Sequence, residues 1–276
     1  METDDFSRIN VENITANGVS MDYIRFGKGA KNLVIIPGLS VQSVMGLADS
    51  IAAAYHIFTE EYTVFLFDRR RDIPEGYTVF QMAHDTACVI SALGIEHFDL
   101  FGTSQGGMIS LLLAAFYPEM VNKLVVGSSA AYLTQKQTDI FKNWVRYALK
   151  GDSEALYMSF GRYVYPAEVF EQSQGILSAA AKTVTEQELE RFVILANSLE
   201  SFDIREKLSL VRCPVLAIGD KSDMLLGRAG SDGIISALTE CPHKELYIYD
   251  GFGHAAYDTA PDYKQRILGF FRHGEG

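Results

Sequence analysis

Apolar residues in this chain fall into two alternating patterns. One is a short unbroken run, found at residues 33–36, 63–67, 98–101, 123–126, 214–218 and 245–249. Such runs, bounded by Gly, Pro and Asp, predict strands buried on both faces. The other pattern recurs every three or four positions. It is clearest at 78–93, where Val79, Met82, Ala83, Thr86, Val89, Ile90 and Leu93 form one stripe. That spacing predicts an amphipathic helix. Similar stretches predict helices at about 43–58, 108–117 and 261–271, the last with Pro261 in its first turn. Short strands alternating with helices predict an α/β fold, with a mostly parallel central sheet flanked by helices. Ahead of this pattern, 11–15 and 19–26 read as strands joined by the two-residue hairpin signal Asn17-Gly18.

The alternation stops between about residues 132 and 202. This stretch carries helical patterns and no convincing strand. Thr185-Glu186-Gln187-Glu188 is a capping box ahead of an apolar helix face, and Gly151-Asp152-Ser153 marks a break between two helices. The expected organisation is a core of residues 1–131 and 203–276 with a helical cap inserted at 132–202. The first half of the insertion is rich in aromatics: Tyr132, Phe141, Trp144, Tyr147, Tyr157, Phe160, Tyr163, Tyr165 and Phe170. More than half of these should pack onto the core. The remainder, with Tyr132, Trp144 and Tyr163 as candidates, should line an apolar substrate pocket.

Composition narrows the picture. At 276 residues and 48% hydrophobic content the chain can bury a large core as one domain, or one domain with an insertion. The net charge of −11 argues against nucleic acid and anionic membranes as partners. Arg69-Arg70-Arg71 is the one basic block, read here as an ion-paired or solvated loop that has room for an anionic substrate group. Cys88, Cys213 and Cys241 are scattered, and no Cys/His spacing suggests a zinc site. Cys88 and Cys213 sit in apolar segments and read as buried thiols. No apolar run approaches the length of a membrane span, and Met1-Glu2-Thr3-Asp4-Asp5 has no signal-peptide core. The expectation is a cytoplasmic protein with a small-molecule substrate and no metal or organic cofactor. Oligomeric state is not legible.

The chemistry centres on Gly102-Thr103-Ser104-Gln105-Gly106, which follows the 98–101 run and leads at once into a helical run. A serine at a sharp strand-to-helix turn projects its hydroxyl clear of the sheet, and the flanking glycines relieve the crowding. A serine hydroxyl is a poor nucleophile unless a base lies within hydrogen-bond reach, and the base needs an orienting group. Of six histidines, only His254 sits in a loop straight after the last strand, in Asp250-Gly251-Phe252-Gly253-His254. The orienting acid should follow the preceding strand, in Gly219-Asp220-Lys221-Ser222-Asp223. Asp220 lies at the strand end. Asp223 lies deeper in the loop, where it can turn back toward His254, and is preferred. Two N–H donors are needed for an oxyanion: those of Gln105 and of Leu39 in the turn Pro37-Gly38-Leu39-Ser40 are the candidates.

These residues give the chain a clear resemblance to the α/β-hydrolase family, in its branch of serine esterases, haloperoxidases and C–C hydrolases with a helical cap. The order Ser104, Asp223, His254 is that family's chain order. Residues 32–38 resemble its third strand and oxyanion turn, and Gly251-Phe252-Gly253-His254 its Gly-x-Gly-His. There are departures. Pro37-Gly38 stands where the family often has His-Gly, and Asp68-Arg69-Arg70-Arg71 where it often has Asp-x-Arg-Gly. Asp223 falls four residues after Gly219 where three is common. The resemblance implies hydrolysis of a small carboxylic ester or thioester through an acyl-enzyme. Hydrolysis of a C–C bond, a cofactor-free perhydrolase or haloperoxidase reaction, and a non-catalytic binding protein on the same scaffold are the alternatives.

Overall fold

The computed structural model describes residues 8–273. The acidic start, Met1 to Asp5, lies outside the described residues. Eight strands form one sheet: β1 Val11–Ala16, β2 Val19–Phe26, β3 Lys31–Ile36, β4 Tyr62–Arg70, β5 Phe98–Thr103, β6 Val121–Gly127, β7 Val215–Asp220 and β8 Lys244–Tyr249. Their order is β1-β2-β4-β3-β5-β6-β7-β8. β2 pairs antiparallel with β1 and β4, and every later pairing is parallel. The chain therefore reverses its direction of travel across the sheet at β3, which lies between β4 and β5. The carboxyl ends of strands at such a switch point open a crevice for ligands.

The sheet is covered on both faces, and strict alternation divides its side chains. Val34, Ile36, Phe65, Phe67, Leu100, Leu124 and Val126 face one cluster with α2 Val79–Ala92, α3 Gln105–Phe116 and α8 Gly227–Ala237. Leu33, Ile35, Val64, Leu66, Phe101, Val125 and Leu216 face the other, with α1 Ala48–Ala54 and α10 Tyr263–Arg272. β5 and β7 are buried along their whole length.

Between β6 and β7 the chain runs through α4 Gln135–Leu149, α5 Ser153–Val164, α6 Ala167–Ala181 and α7 Glu186–Asn197. Capping boxes start two of these helices, Thr134 with Gln137 at α4 and Thr185 with Glu188 at α7. Tyr132 and Asp203, one at each end of this excursion, meet in an isolated antiparallel bridge.

Several boundaries differ from the pattern-based reading. The stretch at 43–58 is not one helix: a 3₁₀ turn at Val44–Leu47, closed by the Ser43 hydroxyl, precedes α1, and a second at His56–Phe58 follows. α3 begins at Gln105, three residues early, because its glycines are there for close packing rather than as a loop. Pro261 stands before the α10 N-cap, Asp262, and a single turn, α9 Ala256–Thr259, intervenes after β8. β4 continues through Asp68-Arg69-Arg70 because Arg70 still pairs with Met21 and its side chain meets Asp85 at 3.0 Å. Arg69 and Arg70 are thus strand residues, and only Arg71 lies beyond the strand. Cys213 is buried, but Cys88 is only half-buried, beside the exposed His84 on α2. No described helix is long and apolar enough to cross a membrane.

Trp144 on α4 is fully buried. The rings of Phe141, Phe160 and Tyr163 lie 5.3, 4.8 and 6.1 Å from it, and its Nε1 donates to Ser159 Oγ. It therefore works first as the packing centre of the helical excursion. Trp144→Ala should cost about 3–5 kcal/mol in urea denaturation. Leu149→Ala, at a 72% exposed position of the same helix, should change stability by no more than about 0.5 kcal/mol.

Candidate active site

Ser104 joins β5 directly to α3 and adopts φ 52, ψ −122. This is the left-handed side of backbone space, costly for a residue with a Cβ. Three bonds hold it there. Ser104 N–H donates to Gly127 O (2.9 Å), and Ser104 O accepts from Met108 N–H (3.2 Å) and Ser129 Oγ (2.8 Å). Gly106 is needed for close approach: a Cβ there would sit 2.1 Å from Ile36 O and 2.4 Å from Pro37 O. That contact brings the turn after β3 against the start of α3. Gly38 lies against the serine itself, where an added Cβ would be 3.1 Å from Ser104 Cβ and 3.7 Å from Oγ. Leu39, 8% exposed, follows it.

His254 and Asp223 come from the loops after β8 and β7. His254 Nδ1 and Asp223 Oδ2 are 2.9 Å apart, with both side chains buried. An ionised carboxylate only accepts, so the imidazole proton sits on Nδ1 and Nε2 is left as the basic nitrogen. Asp223 Oδ1 accepts from Leu225 N–H (2.8 Å) and Leu226 N–H (3.0 Å). Burial pushes the Asp223 carboxyl up. The hydrogen bond of His254, its charge when the imidazole is protonated, and the two backbone N–H groups outweigh it and hold the carboxyl below its ordinary value.

Asp220 has a different task. It is fully buried at the end of β7, and its Oδ1 accepts from Ser222 N–H (2.6 Å) and its Oδ2 from Phe252 N–H (2.9 Å). It ties the loop bearing Asp223 to the loop bearing His254. Of the two aspartates considered from sequence, the structure pairs Asp223 with His254 and makes Asp220 the clamp between their loops.

The sequence model of the alpha/beta hydrolase fold family matches residues 31–261. The chain belongs to the α/β-hydrolase family. Among curated relatives it is 29% identical over 241 residues to "Putative carbamate hydrolase RutD" of Cronobacter sakazakii, covering 84% of this chain and 87% of the relative. Its fold is similar to that of MGS-M2, an alpha/beta hydrolase enzyme from a Medee basin deep-sea metagenome library, with TM-score 0.83, 23% identity and 94% and 97% of the two chains covered. The enol-lactonase from Burkholderia xenovorans LB400 is also similar, with TM-score 0.81, 16% identity and coverage of 94% and 99%.

In this α/β hydrolase the helices between β6 and β7 are held to the sheet's carboxyl edge by polar contacts. Gln105 Nε2 donates to Leu195 O (2.8 Å) and Ser198 Oγ (3.2 Å). Arg191 on α7 bonds Asp68 at 2.7 Å, and Tyr157 OH donates to Gln42 Oε1 at 2.9 Å. Ala255, next to His254, donates its N–H to Val164 O on α5 (2.9 Å). Ser104 and His254 are accordingly only 9% and 2% exposed. A surface cleft of about 500 Å³ lined by Asp203, Ile204, Arg205, Glu206 and Lys207 contains none of these residues.

Of the aromatics expected to line a pocket, Trp144 is enclosed by other rings, and Tyr132 lies beneath the Arg205 guanidinium, 4.3 Å from its ring centre. Tyr163 is partly buried on α5. Arg70 and Arg71 are ion-paired, with Asp85 (3.0 Å) and Asp22 (2.8 Å). Sequence reading missed the burial of Arg69 and the side-chain contacts of Gln105. The only signal for either was position, one beside the strand-end aspartate and the other beside the serine. Among the described residues no group of three or more His, Cys, Asp or Glu is placed to hold a metal ion.

Because the folded Asp223 carboxyl titrates below its unfolded value, its contribution to stability is complete above the unfolded pKa. It is lost as pH falls through the folded one. The stability difference between the parent and Asp223→Asn should therefore be largest in neutral solution and shrink below about pH 4. Urea denaturation across a pH series measures it.

Proposed function

We propose that the protein is a serine hydrolase of small carboxylic esters or thioesters, acting through an acyl-enzyme. The observation that carries this reading is the strained Ser104 turn on the same sheet edge as the buried His254–Asp223 pair. In this reading Ser104 Oγ attacks the substrate carbonyl carbon and its proton passes to His254 Nε2. The N–H groups of Leu39 and Gln105 stabilise the oxyanion, and His254 returns the proton to the leaving oxygen or sulfur. Water then repeats the sequence on the acyl-enzyme and releases the acid. Asp223 keeps the imidazole in the tautomer that leaves Nε2 free. Gly38 supports the placing of the oxyanion turn, since even a Cβ there would sit 3.1 Å from Ser104 Cβ.

The helices of residues 132–202 act as the cap over this centre. The low exposure of Ser104 and His254 supports that role, as do the contacts of Gln105 and Ala255 with α7 and α5. The partly buried rings of Tyr157, Phe160 and Tyr163 are the cap's best candidates for contact with an uncharged acyl group. A second reading, a carbamate as substrate, is favoured by the similarity to the carbamate hydrolase relatives. It uses the same attack on a carbonyl and gives a carbamoyl-enzyme.

A fluorophosphonate should label Ser104 alone, as peptide mapping would show. Stoichiometric label elsewhere would remove the nucleophile assignment. Ser104→Ala and His254→Ala should each lower kcat by roughly 10⁴–10⁶, with little further loss in the double variant, because the residues act as one unit. Asp223→Asn should lower kcat by about 10⁴, far more than Asp220→Asn. A panel of p-nitrophenyl esters, thioesters and aryl carbamates separates the two substrate readings through kcat/KM.

A further inference from the structure

Arg69 is a charged side chain that the mechanism above leaves without a task. It projects from β4, is 5% exposed, and lies at the centre of the carboxyl edge. Its Nη2 donates to Pro37 O at 2.8 Å and to Gln105 Oε1 at 3.2 Å. One guanidinium thus touches the turn that presents the Leu39 N–H and the residue that presents the other candidate oxyanion donor. Beyond Gln105 the same network reaches α7, through the Gln105 amide to Leu195 O and Ser198 Oγ. A second strand of it runs alongside. Asp68 Oδ1 accepts from Arg69 N–H (2.7 Å) and from Arg191 of α7 (2.7 Å), and Ser43 Oγ donates to Asp68 Oδ2 (2.6 Å).

The arrangement carries costs. Among the described residues, Arg69 Nε and Arg191 Nη1 have no hydrogen-bond partner although both are buried. An unpartnered buried donor on a charged group is costly. Burial pulls the Arg69 guanidinium down to about 10, and Asp68 offsets only part of that. An apolar side chain would avoid these penalties but would leave Pro37 O and Gln105 Oε1 without this donor, so what the arginine supplies is the link between those two segments.

We infer that Arg69 is a positioning residue: it holds the 37–39 turn and Gln105 in the relative placement that makes their N–H groups converge, and it makes that placement depend on the seating of α7. The inference rests on the reading of Ser104 as nucleophile and of those two N–H groups as oxyanion donors. Arginine suits the task because the two N–H groups of Nη2 are fixed in the guanidinium plane and serve the two acceptors in set directions, whereas a lysine ammonium rotates freely on a flexible stem. Substrate that presses on α7 would be felt at the oxyanion turn through Gln105 and Arg69, with no contact between substrate and either side chain.

The test uses Arg69→Met and Arg69→Gln, one apolar and one polar, with Arg69→Lys as the conservative variant. Four quantities are read, the kinetic ones with a p-nitrophenyl ester as substrate. These are kcat and KM, the Ki of a trifluoromethyl ketone whose adduct on Ser104 places its oxyanion in the donor site, and the Kd of the product acid. Loss of alignment should lower kcat roughly 10–100-fold, less than outright loss of an oxyanion donor, with KM within about threefold. The ketone Ki should weaken by the same factor as kcat/KM, the product acid Kd should stay at the parent value, and Arg69→Lys should recover part of the loss. A role in packing alone would lower the melting temperature without separating the ketone from the product acid. Parent-like kcat and ketone Ki in either folded variant overturn the inference, as does a loss confined to KM. Should neither fold, Gln105→Met, which keeps the backbone N–H and removes the side-chain link, is judged by the same criteria. Fluorophosphonate labelling of the parent is the separate check on the underlying reading. No label on Ser104 there removes the nucleophile, while normal label with parent-like ketone binding in the variants removes only the role of Arg69.

Discussion

The carboxyl edge of the sheet is organised around one backbone constraint, the left-handed conformation of Ser104. A positive φ at a residue with a Cβ costs about 1–3 kcal/mol and persists only where the surroundings over-determine it. Here β5 is buried along its length, so its end cannot drift. The serine N–H is taken by β6, and its carbonyl is taken by Ser129 and by the second turn of α3. Relaxing the dihedral would break these bonds and leave buried polar groups unpaired. The close packing of Gly106 against Ile36 and Pro37 follows from the same turn and brings the β3 loop beside the serine hydroxyl.

The acid–base pair shows how two similar aspartates are sorted by geometry. Asp220 and Asp223 lie three residues apart at the end of β7, yet one braces loops and the other faces an imidazole. The difference is set by the end of β7. Asp220 is still a strand residue, directed at the N–H groups of Ser222 and Phe252. Asp223 lies past the turn, where the chain has doubled back toward His254. The carboxylate in each case takes backbone N–H donors, so neither is a bare buried charge.

Much of this was legible in the chain because it is locally encoded. The short apolar runs located the parallel strands, though β8, at the sheet edge, is exposed or half-buried along most of its length rather than buried on both faces, and Gly-x-Ser-x-Gly between a strand and a helix marked the turn at Ser104. The position of His254 after the last strand separated it from five other histidines. What escaped was set by tertiary contact. β4 could not be followed past Phe67, since Asp68, Arg69 and Arg70 look like a polar loop until Ser43, Arg191, Pro37 and Asp85 come together around them. Trp144 looked equally suited to a pocket wall and to a helix interior, and only the placing of Phe160 and Tyr163 on the next helix decides for the interior. Arg69 carried no local sign of burial, because a buried cation is recognised by its partners and these, Pro37 and Gln105, come from two distant segments.

The bridge between Tyr132 and Asp203 has a consequence for how such a chain can vary. It brings the entry and exit of the helical excursion to a single point on the sheet's rim, so the excursion is a closed loop. The entropy of closing a loop grows only with the logarithm of its length, about 0.6 kcal/mol for each doubling. Helices can therefore be lengthened, shortened or exchanged beyond that point at small cost, while the register of β6 against β7 is undisturbed. The rim works as a socket. Chemistry is retained on the fixed side, and the interchangeable side is free to diverge until it meets the few polar contacts that must still fit Gln42, Asp68 and Gln105.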